Sequence, residues 1–228
     1  MTELWDGLVK ALQLLASFDR EVMEIAGRSL GISATSCALS FLVSLPLASL
    51  IHFNRFPGKR LLVSLIQTLF SMPTVAIGLF VFLLFSQAGP FGGVGIIFTP
   101  TVMIIGQCIL ITPVMLGLII PALGSVDRAV SETATSLGAN RRQASYITIR
   151  EARYAITTAV IMGFGRAISE VGISLMVGGN ISGYTRTITT TISLETSKGE
   201  IELAIALGII LILIALVINL ALYRLKQR

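Results

Sequence analysis

Five long apolar blocks constrain this chain more than any other feature of its sequence. They cover residues 29–51, 61–86, 94–120, 154–178 and 203–222. Only two charged side chains, Arg166 and Glu170, fall inside them. Each block has the roughly 20 residues that an α-helix needs to cross about 30 Å of hydrocarbon. The sequence therefore predicts an all-α polytopic membrane protein with about five transmembrane helices.

The composition argues against the other common classes of protein. Charged residues make up 13% of the chain, whereas an ordinary soluble domain has about 25%. The blocks show no alternation of polar and apolar residues, which the strands of a membrane barrel would require. His52 is the single histidine, and Cys37 and Cys108 stand in separate blocks. We therefore expect no metal site in this chain.

The charges outside the blocks divide unevenly between the two sides of the predicted bundle. One side receives three segments: 52–60, 121–153 and the tail 223–228. These carry eleven basic and three acidic residues, whereas the segments of the other side carry five basic and eight acidic residues. Loops rich in Lys and Arg face the cytoplasm. We expect a multi-pass protein of the cell (inner or plasma) membrane, with its N-terminus outside and its C-terminus cytoplasmic. The net charge of +5 then reflects topology, and nucleic acid is not an expected partner.

The segment before the first block, residues 1–28, is predicted to be extracytoplasmic. Within it, residues 4–18 have apolar side chains at spacings of three and four, which predicts an amphipathic helix. This stretch is too short and too charged for a sixth span, so we expect it to lie along the extracytoplasmic surface of the membrane. Residues 29–222 are then the transmembrane domain. Four prolines inside the blocks predict kinked spans: Pro46, Pro73, Pro100 and Pro113.

The cytoplasmic segment 121–153 is longer than a connector needs, and its composition favours helix. Asp127 or Ser131 can cap a first helix, and Leu137-Gly138 provides a stop. Asn140 can cap a second helix that begins at Arg141. The sequence predicts a helix, a glycine break and another helix against the end of the bundle. From composition alone, a purely structural loop is an equal alternative.

The same segment resembles a motif of a known transporter family. Glu132-Thr133-Ala134-x3-Gly138, followed by Ile147-x-Ile149, is similar to the Glu-Ala-Ala-x3-Gly loop of binding-protein-dependent ABC importer permeases of type I. Thr133 replaces the usual first alanine, and Arg150 stands where that motif ends in proline. In that family the loop forms a coupling helix that docks in a cleft of the cytoplasmic ATPase. The resemblance assigns nine residues to ATPase coupling: Glu132, Thr133, Ala134, Leu137, Gly138, Ala139, Asn140, Arg141 and Arg142.

Four further stretches look most like the tungstate-type permeases, which are relatives of the molybdate and sulfate permeases. They read SMPTVAIGLFVFLLFSQAGPFG, IIFTPTVMIIGQCILITPV, GFGRAISEVGISLMVGGNISGYTRTITT and, at 150–153, REAR. The resemblance implies the permease subunit of an ATP-driven importer that works by alternating access. Its substrate is expected to be a tetrahedral oxyanion, foremost tungstate, with molybdate or sulfate as alternatives.

The resemblance also implies the partners of the chain. These are a second copy of itself, a cytoplasmic ABC ATPase dimer, membrane lipid and an extracytoplasmic oxyanion-binding protein, which is expected to touch the outer loop 179–202. A solvated loop is the alternative for this last segment. The chain contains no Gly-x4-Gly-Lys-Ser/Thr loop. We therefore expect it to bind no cofactor and to be no enzyme, with ATP and Mg used by the partner ATPase.

The two charges inside the fourth block are four residues apart. On a continuous helix this spacing puts Arg166 and Glu170 on one face, where they can pair. An isolated charge at the bilayer centre costs at least about 2.5–3.5 kcal/mol, so both should face the bundle interior or a water-filled cavity.

Two interpretations of these charges stay open. The pair stabilises the bundle or a dimer contact, or Arg166 lies near the path of an oxyanion. In the second case Glu170 holds the arginine, and Ser169 and Ser174 supply hydroxyl groups. An alternative from another class is a proton-coupled secondary transporter that uses Arg166 and Glu170, although the internal repeats frequent in such folds are not evident.

Overall fold

The computed structural model describes the backbone of residues 2–227 and the side chains of residues 5–220 and Arg224. Within this range the chain forms eleven α-helices and no strand, which confirms the all-α prediction. The helices are α1 (Thr2–Ala16), α2 (Arg20–Phe53), α3 (Lys59–Thr68), α4 (Thr74–Phe85), α5 (Pro100–Gly124), α6 (Arg128–Ser136), α7 (Arg141–Glu151), α8 (Arg153–Ile168), α9 (Gly172–Gly178), α10 (Ile188–Lys198) and α11 (Ile201–Gln227). Of the predicted tail 223–228, the last residue lies outside the described residues.

Three helices, α2, α5 and α11, are each long and apolar enough to cross a membrane. The second and fourth predicted spans are instead broken. The helical segments Lys59–Ser71 and Thr74–Phe85 meet at 98°, and α8 and α9 meet at 55°. Counting each bent pair as one span gives five, the number of apolar blocks. Blocks 61–86 and 154–178 therefore each contain a break, whereas the sequence predicted a kink at Pro73 and none at 169–171.

The prolines explain part of this difference. Met72 and Pro73 are extended, with ψ angles of 131° and 123°. Proline disfavours helical backbone at the residue before it and cannot donate a helical hydrogen bond. Pro100 begins α5, at a position that tolerates proline. The kink predicted at Pro100 is therefore absent. Pro46 and Pro113 do lie inside helices, in α2 and α5.

The centre of the bundle is α5, which packs against α2, α8 and α9. Helix α2 carries a stripe of buried serines: Ser29, Ser33, Ser36, Ser40 and Ser44. The last of these, Ser44, donates to the carbonyl of Thr112 in α5 at 3.4 Å. Small residues let two helix backbones approach closely inside a membrane. The Ser36 hydroxyl donates to the carbonyl of Ile32 in its own helix, which satisfies its hydrogen-bonding capacity away from water.

The N-terminal segment is helical, as predicted, and packs against α11. Ala11 is buried in a cluster with Ala206, Leu207 and Ile210, while Trp5 is largely exposed. Asp19 then caps α2, and its side chain accepts a hydrogen bond from Val22 N at 3.0 Å. The first long helix therefore begins nine residues before the first apolar block.

Candidate functional site

The segment between α5 and α8 has the predicted sequence of helix, glycine break and helix. Asp127 caps α6 by accepting a hydrogen bond from Ala129 N at 3.0 Å. Gly138 follows α6 in the left-handed region, with φ +92°. Asn140 and Gln143 then form a reciprocal capping box at the start of α7, with bonds of 3.0 and 2.8 Å. The prediction of this local structure is confirmed.

Arg141 fastens this segment to the transmembrane bundle. Its Nη2 donates to the carbonyl of Phe53 at 2.8 Å and to Oδ1 of Asn54 at 3.0 Å. A cation is favourable at this place, because the last carbonyls of a helix carry partial negative charge. Arg141 therefore links the start of α7 to the end of α2.

The opposite side of the segment presents apolar side chains to the exterior. Leu137 is 84% exposed and Tyr146 66% exposed. Together with Ala134, Ala139 and Arg142 they line a shallow groove along the segment. Large apolar side chains on an otherwise polar surface are typical of a site that a partner protein covers. The remaining predicted coupling residues, Glu132 and Thr133, are also exposed.

Tyr146 is a surface residue of this segment that the sequence motif did not indicate. It immediately precedes Ile147 of the family-like motif and lies on the side of α7 away from the bundle, whereas Thr148 is buried. A bulky aromatic residue on an extramembranous helix was the available signal. Only the docking of α7 shows which of its faces is free.

Arg166 and Glu170 do not share a helix face. Helix α8 ends at Ile168, so Arg166 lies in its last turn and Glu170 in the break that follows. None of the ion pairs formed by the described residues joins them. Glu170 Oε1 instead accepts a hydrogen bond from Ile173 N at 3.0 Å, at the start of α9. The predicted pairing is wrong because the helix ends between the two residues.

The structure places the other two predicted pathway residues apart. Ser174 is buried, and its hydroxyl donates to the carbonyl of Glu170 at 3.3 Å. Ser169 is exposed, and its hydroxyl contacts the carbonyl of Gly165 at 2.9 Å. Glu170 and Ser174 line one small polar cavity with residues of α2, α5 and α10, and neither Arg166 nor Ser169 lines it. The four candidates therefore form two separate groups.

The segment 179–202 is more ordered than a solvated loop. Ile188 N donates to Ser29 Oγ of α2 at 2.8 Å, and Thr189 Oγ1 donates to the carbonyl of Glu170 at 3.0 Å. These bonds fasten the start of α10 to α2 and to the α8–α9 break. Within the stretch 181–184 the residues are exposed. Five threonines of this segment are buried, which the sequence did not predict: Thr185, Thr187, Thr189, Thr190 and Thr191.

The sequence of the chain matches one protein family over most of its length. Residues 40–228 match the family of binding-protein-dependent transport system inner membrane components. The chain belongs to this family, and so to the permeases of the binding-protein-dependent ABC importers. The alternative of a secondary transporter is not favoured by this membership.

Two curated relatives are similar over nearly the full chain. The tungstate uptake system permease protein TupB of Peptoclostridium acidaminophilum is 38% identical over 227 residues, which is 100% of both chains. The protein of the same name from Campylobacter jejuni is 37% identical, over 98% of this chain and 94% of its own. A bacterial ABC transporter that imports alginate has the same fold, with a TM-score of 0.75, 19% identity and coverage of 94% of this chain and 82% of its own.

Proposed function

We propose that the chain is the pore-forming permease of an ATP-driven importer for a tetrahedral oxyanion, with tungstate as the substrate. The observation that carries this proposal is the full-length similarity to two permeases named for tungstate uptake. Molybdate and sulfate are the alternative substrates. The geometry of the α6–α7 segment supports the importer mechanism independently. The face that points away from the bundle suits a protein partner, and the opposite face is hydrogen-bonded to the end of α2 through Arg141.

In this mechanism two copies of the chain form the pore, and an ABC ATPase dimer docks under the two α6–α7 segments. The exposed Leu137 and Tyr146 are the contact residues for the ATPase, which uses ATP and Mg. When ATP closes the ATPase dimer, the segments move together. Arg141 passes this movement to the end of α2, and the tight α2–α5 packing passes it to the bundle centre. The pore then alternates between inward-open and outward-open forms.

On the outer side, an oxyanion-binding protein docks against the exposed stretch 181–184 and releases its anion. Arg166 is partly exposed and has no acidic partner among the described ion pairs. An unpaired charge in a membrane protein belongs in a water-filled cavity rather than in lipid. This supports the interpretation in which Arg166 lies along the path of the anion. A single arginine attracts a dianion without holding it too tightly for release.

The test is uptake by vesicles that contain the permease with its ATPase, in the presence of the binding protein. We expect tungstate accumulation to require both the binding protein and ATP on the side of the vesicle membrane that carries the ATPase. It should persist when an ionophore collapses the proton gradient. Accumulation driven by a proton gradient without ATP contradicts the proposal. Competition by excess molybdate or sulfate, measured in the same vesicles, ranks the three anions.

A further inference from the structure

A basic recess lies where the chain turns from α2 into α3. Its volume is about 660 Å³, within the range of protein pockets that take small organic ligands. Three of its lining side chains are cationic, Arg55, Lys59 and Arg60, and none of the described residues that line it is acidic. The sequence contains no acidic residue between Glu24 and Asp127. The recess therefore concentrates positive charge at one end of the bundle.

The cations of the recess are not neutralised by the described part of the chain. None of the ion pairs that the described residues form includes Arg55 or Arg60, and both residues are exposed. Lys59 Nζ donates to the carbonyls of His52 and Asn54, at 2.8 and 3.3 Å. These neutral oxygens hold the ammonium group in place and leave its positive charge uncompensated. The recess therefore favours an anionic ligand.

Helix α3 has an apolar face beside this recess. Leu61 is 65% exposed and Leu65 is 54% exposed, and Leu69 follows at the same spacing of four residues. This spacing puts the three leucines on one face of the helix. The recess residues Arg60 and Ser64 lie on another face. A helix with one exposed apolar face and one basic face lies at the boundary between the acyl chains and the headgroups of a membrane.

We propose that the recess binds the headgroup of an anionic phospholipid, whose acyl chains lie along the leucines of α3. Arginine binds phosphate oxygens through paired, charge-assisted hydrogen bonds. Basic pockets at the ends of membrane helices bind anionic headgroups, and each Lys or Arg near such a surface strengthens binding about fivefold. The chain belongs to a family of inner membrane components, so phospholipid surrounds its exposed apolar faces. The inference is independent of which anion the importer carries.

The test is lipid binding to the purified full-length chain, measured by native mass spectrometry in detergent. Dioleoyl phosphatidylglycerol is the probe. The reference lipid is dioleoyl phosphatidylcholine, which has the same phosphate and acyl chains but no net charge. We expect phosphatidylglycerol to bind at least about 25-fold more tightly. The double variant Arg55→Gln/Arg60→Gln removes two charges of the recess and should remove that factor, while the affinity for phosphatidylcholine stays unchanged.

The matched control is the double variant Arg128→Gln/Arg150→Gln. It also removes two positive charges from exposed arginines, in the α6–α7 segment at the same end of the bundle, but neither residue lines the recess. This variant should keep the full preference for phosphatidylglycerol. Inorganic phosphate, compared with chloride at equal ionic strength, should not displace the lipid, because phosphate makes no contact with the leucines.

Four results overturn the proposal. Equal affinities for the two lipids would mean that the recess does not select an anionic headgroup. Equal losses in the two double variants would mean that net charge, and not the recess, attracts the lipid. Displacement by inorganic phosphate would identify a site for free anions. Lipid binding to the monomer but not to the dimer of the chain would mean that a second copy covers the recess.

Discussion

Arg166 and Glu170 occupy different surroundings although only three residues separate them. Arg166 is in the last turn of α8, where the helix end favours a cation, and it stays partly exposed. Glu170 is buried and accepts a hydrogen bond from the first turn of α9. The two interpretations made for them as a pair therefore apply to them separately. Glu170 is buried and hydrogen-bonded within the bundle, and the partly exposed Arg166 is the residue that we propose lies along the path of the anion.

Replacement of Arg166 tests its proposed role in the pathway. Arg166→Gln should lower ATP-driven oxyanion uptake at least about tenfold, because a charge-assisted hydrogen bond contributes about 1.5–3 kcal/mol and each 1.4 kcal/mol is a factor of ten. The melting temperature should hardly change, since the substitution breaks none of the ion pairs that the described residues form. Uptake in vesicles and thermal unfolding are measured on the same preparation.

The control for this experiment is Arg20→Gln. Arg20 is a surface arginine with a side chain 92% exposed, paired with Glu24 on the same helix. Its replacement should leave uptake at the wild-type level. If Arg166→Gln also transports at that rate, Arg166 plays no part in moving the anion.

At the scale of elements, the joint between α6 and α7 depends on one backbone conformation. Gly138 has a φ of +92° and no neighbour within 4 Å of where a Cβ would lie. A side chain there would meet no steric obstacle from other residues, but the left-handed backbone costs an L-residue about 1–2 kcal/mol. Substitution should therefore change the angle between α6 and α7 rather than unfold the bundle.

Gly138→Val is expected to uncouple ATP hydrolysis from transport. The ATPase should still hydrolyse ATP, while the amount of anion transported per ATP falls several-fold, because the displaced α6 no longer passes its movement to Arg141. The measurement is the ratio of uptake to phosphate release in vesicles. Gly58→Val is the matched control, with a φ of +85° and equally free space, but outside the coupling segment. A normal ratio for Gly138→Val shows that this joint does not carry the coupling.

At the scale of the whole molecule, α2 connects the two segments with proposed partners. Its residue Ser29 accepts a hydrogen bond from the start of α10, and its last carbonyl, at Phe53, accepts one from Arg141 of α7. These contacts are 24 residues apart, which is about 36 Å along a helix. That distance slightly exceeds the hydrocarbon thickness of a bilayer. The α6–α7 segment and the outer loop therefore belong to opposite ends of the bundle.

The charge distribution predicts which end of the bundle faces the cytoplasm, and this orientation can be measured directly. Starting from a chain with Cys37 and Cys108 replaced by alanine, we expect Tyr184→Cys to react with an impermeant maleimide in intact cells. Leu137→Cys should react only after the membrane is permeabilised. Both native side chains are exposed, so in cells that make the chain without its ATPase and binding protein the membrane alone limits access. The reverse pattern of labelling would mean that the positive-inside assignment is wrong.

Local rules were sufficient for much of the architecture. The number of spans follows from block length, and the caps of α6 and α7 follow from Asp127, Gly138 and Asn140, because each depends on residues within one helical turn. Pro73 likewise indicated an interruption of its block. The angle of the bend at this interruption, 98°, is visible only in the structure. Proline removes a hydrogen bond locally, but neighbouring helices determine where the next helix points.

The sequence by itself thus determined an all-α membrane protein with five long apolar blocks, together with the segment that resembles the ATPase-coupling loop of its family. Only the tertiary structure showed that Arg141 reaches Phe53, 88 residues away, and that Glu170 lies beside Gln107 and Thr189. The reason is physical. Helix formation depends on hydrogen bonds between residues four apart, whereas a buried polar cluster depends on which distant helices pack together.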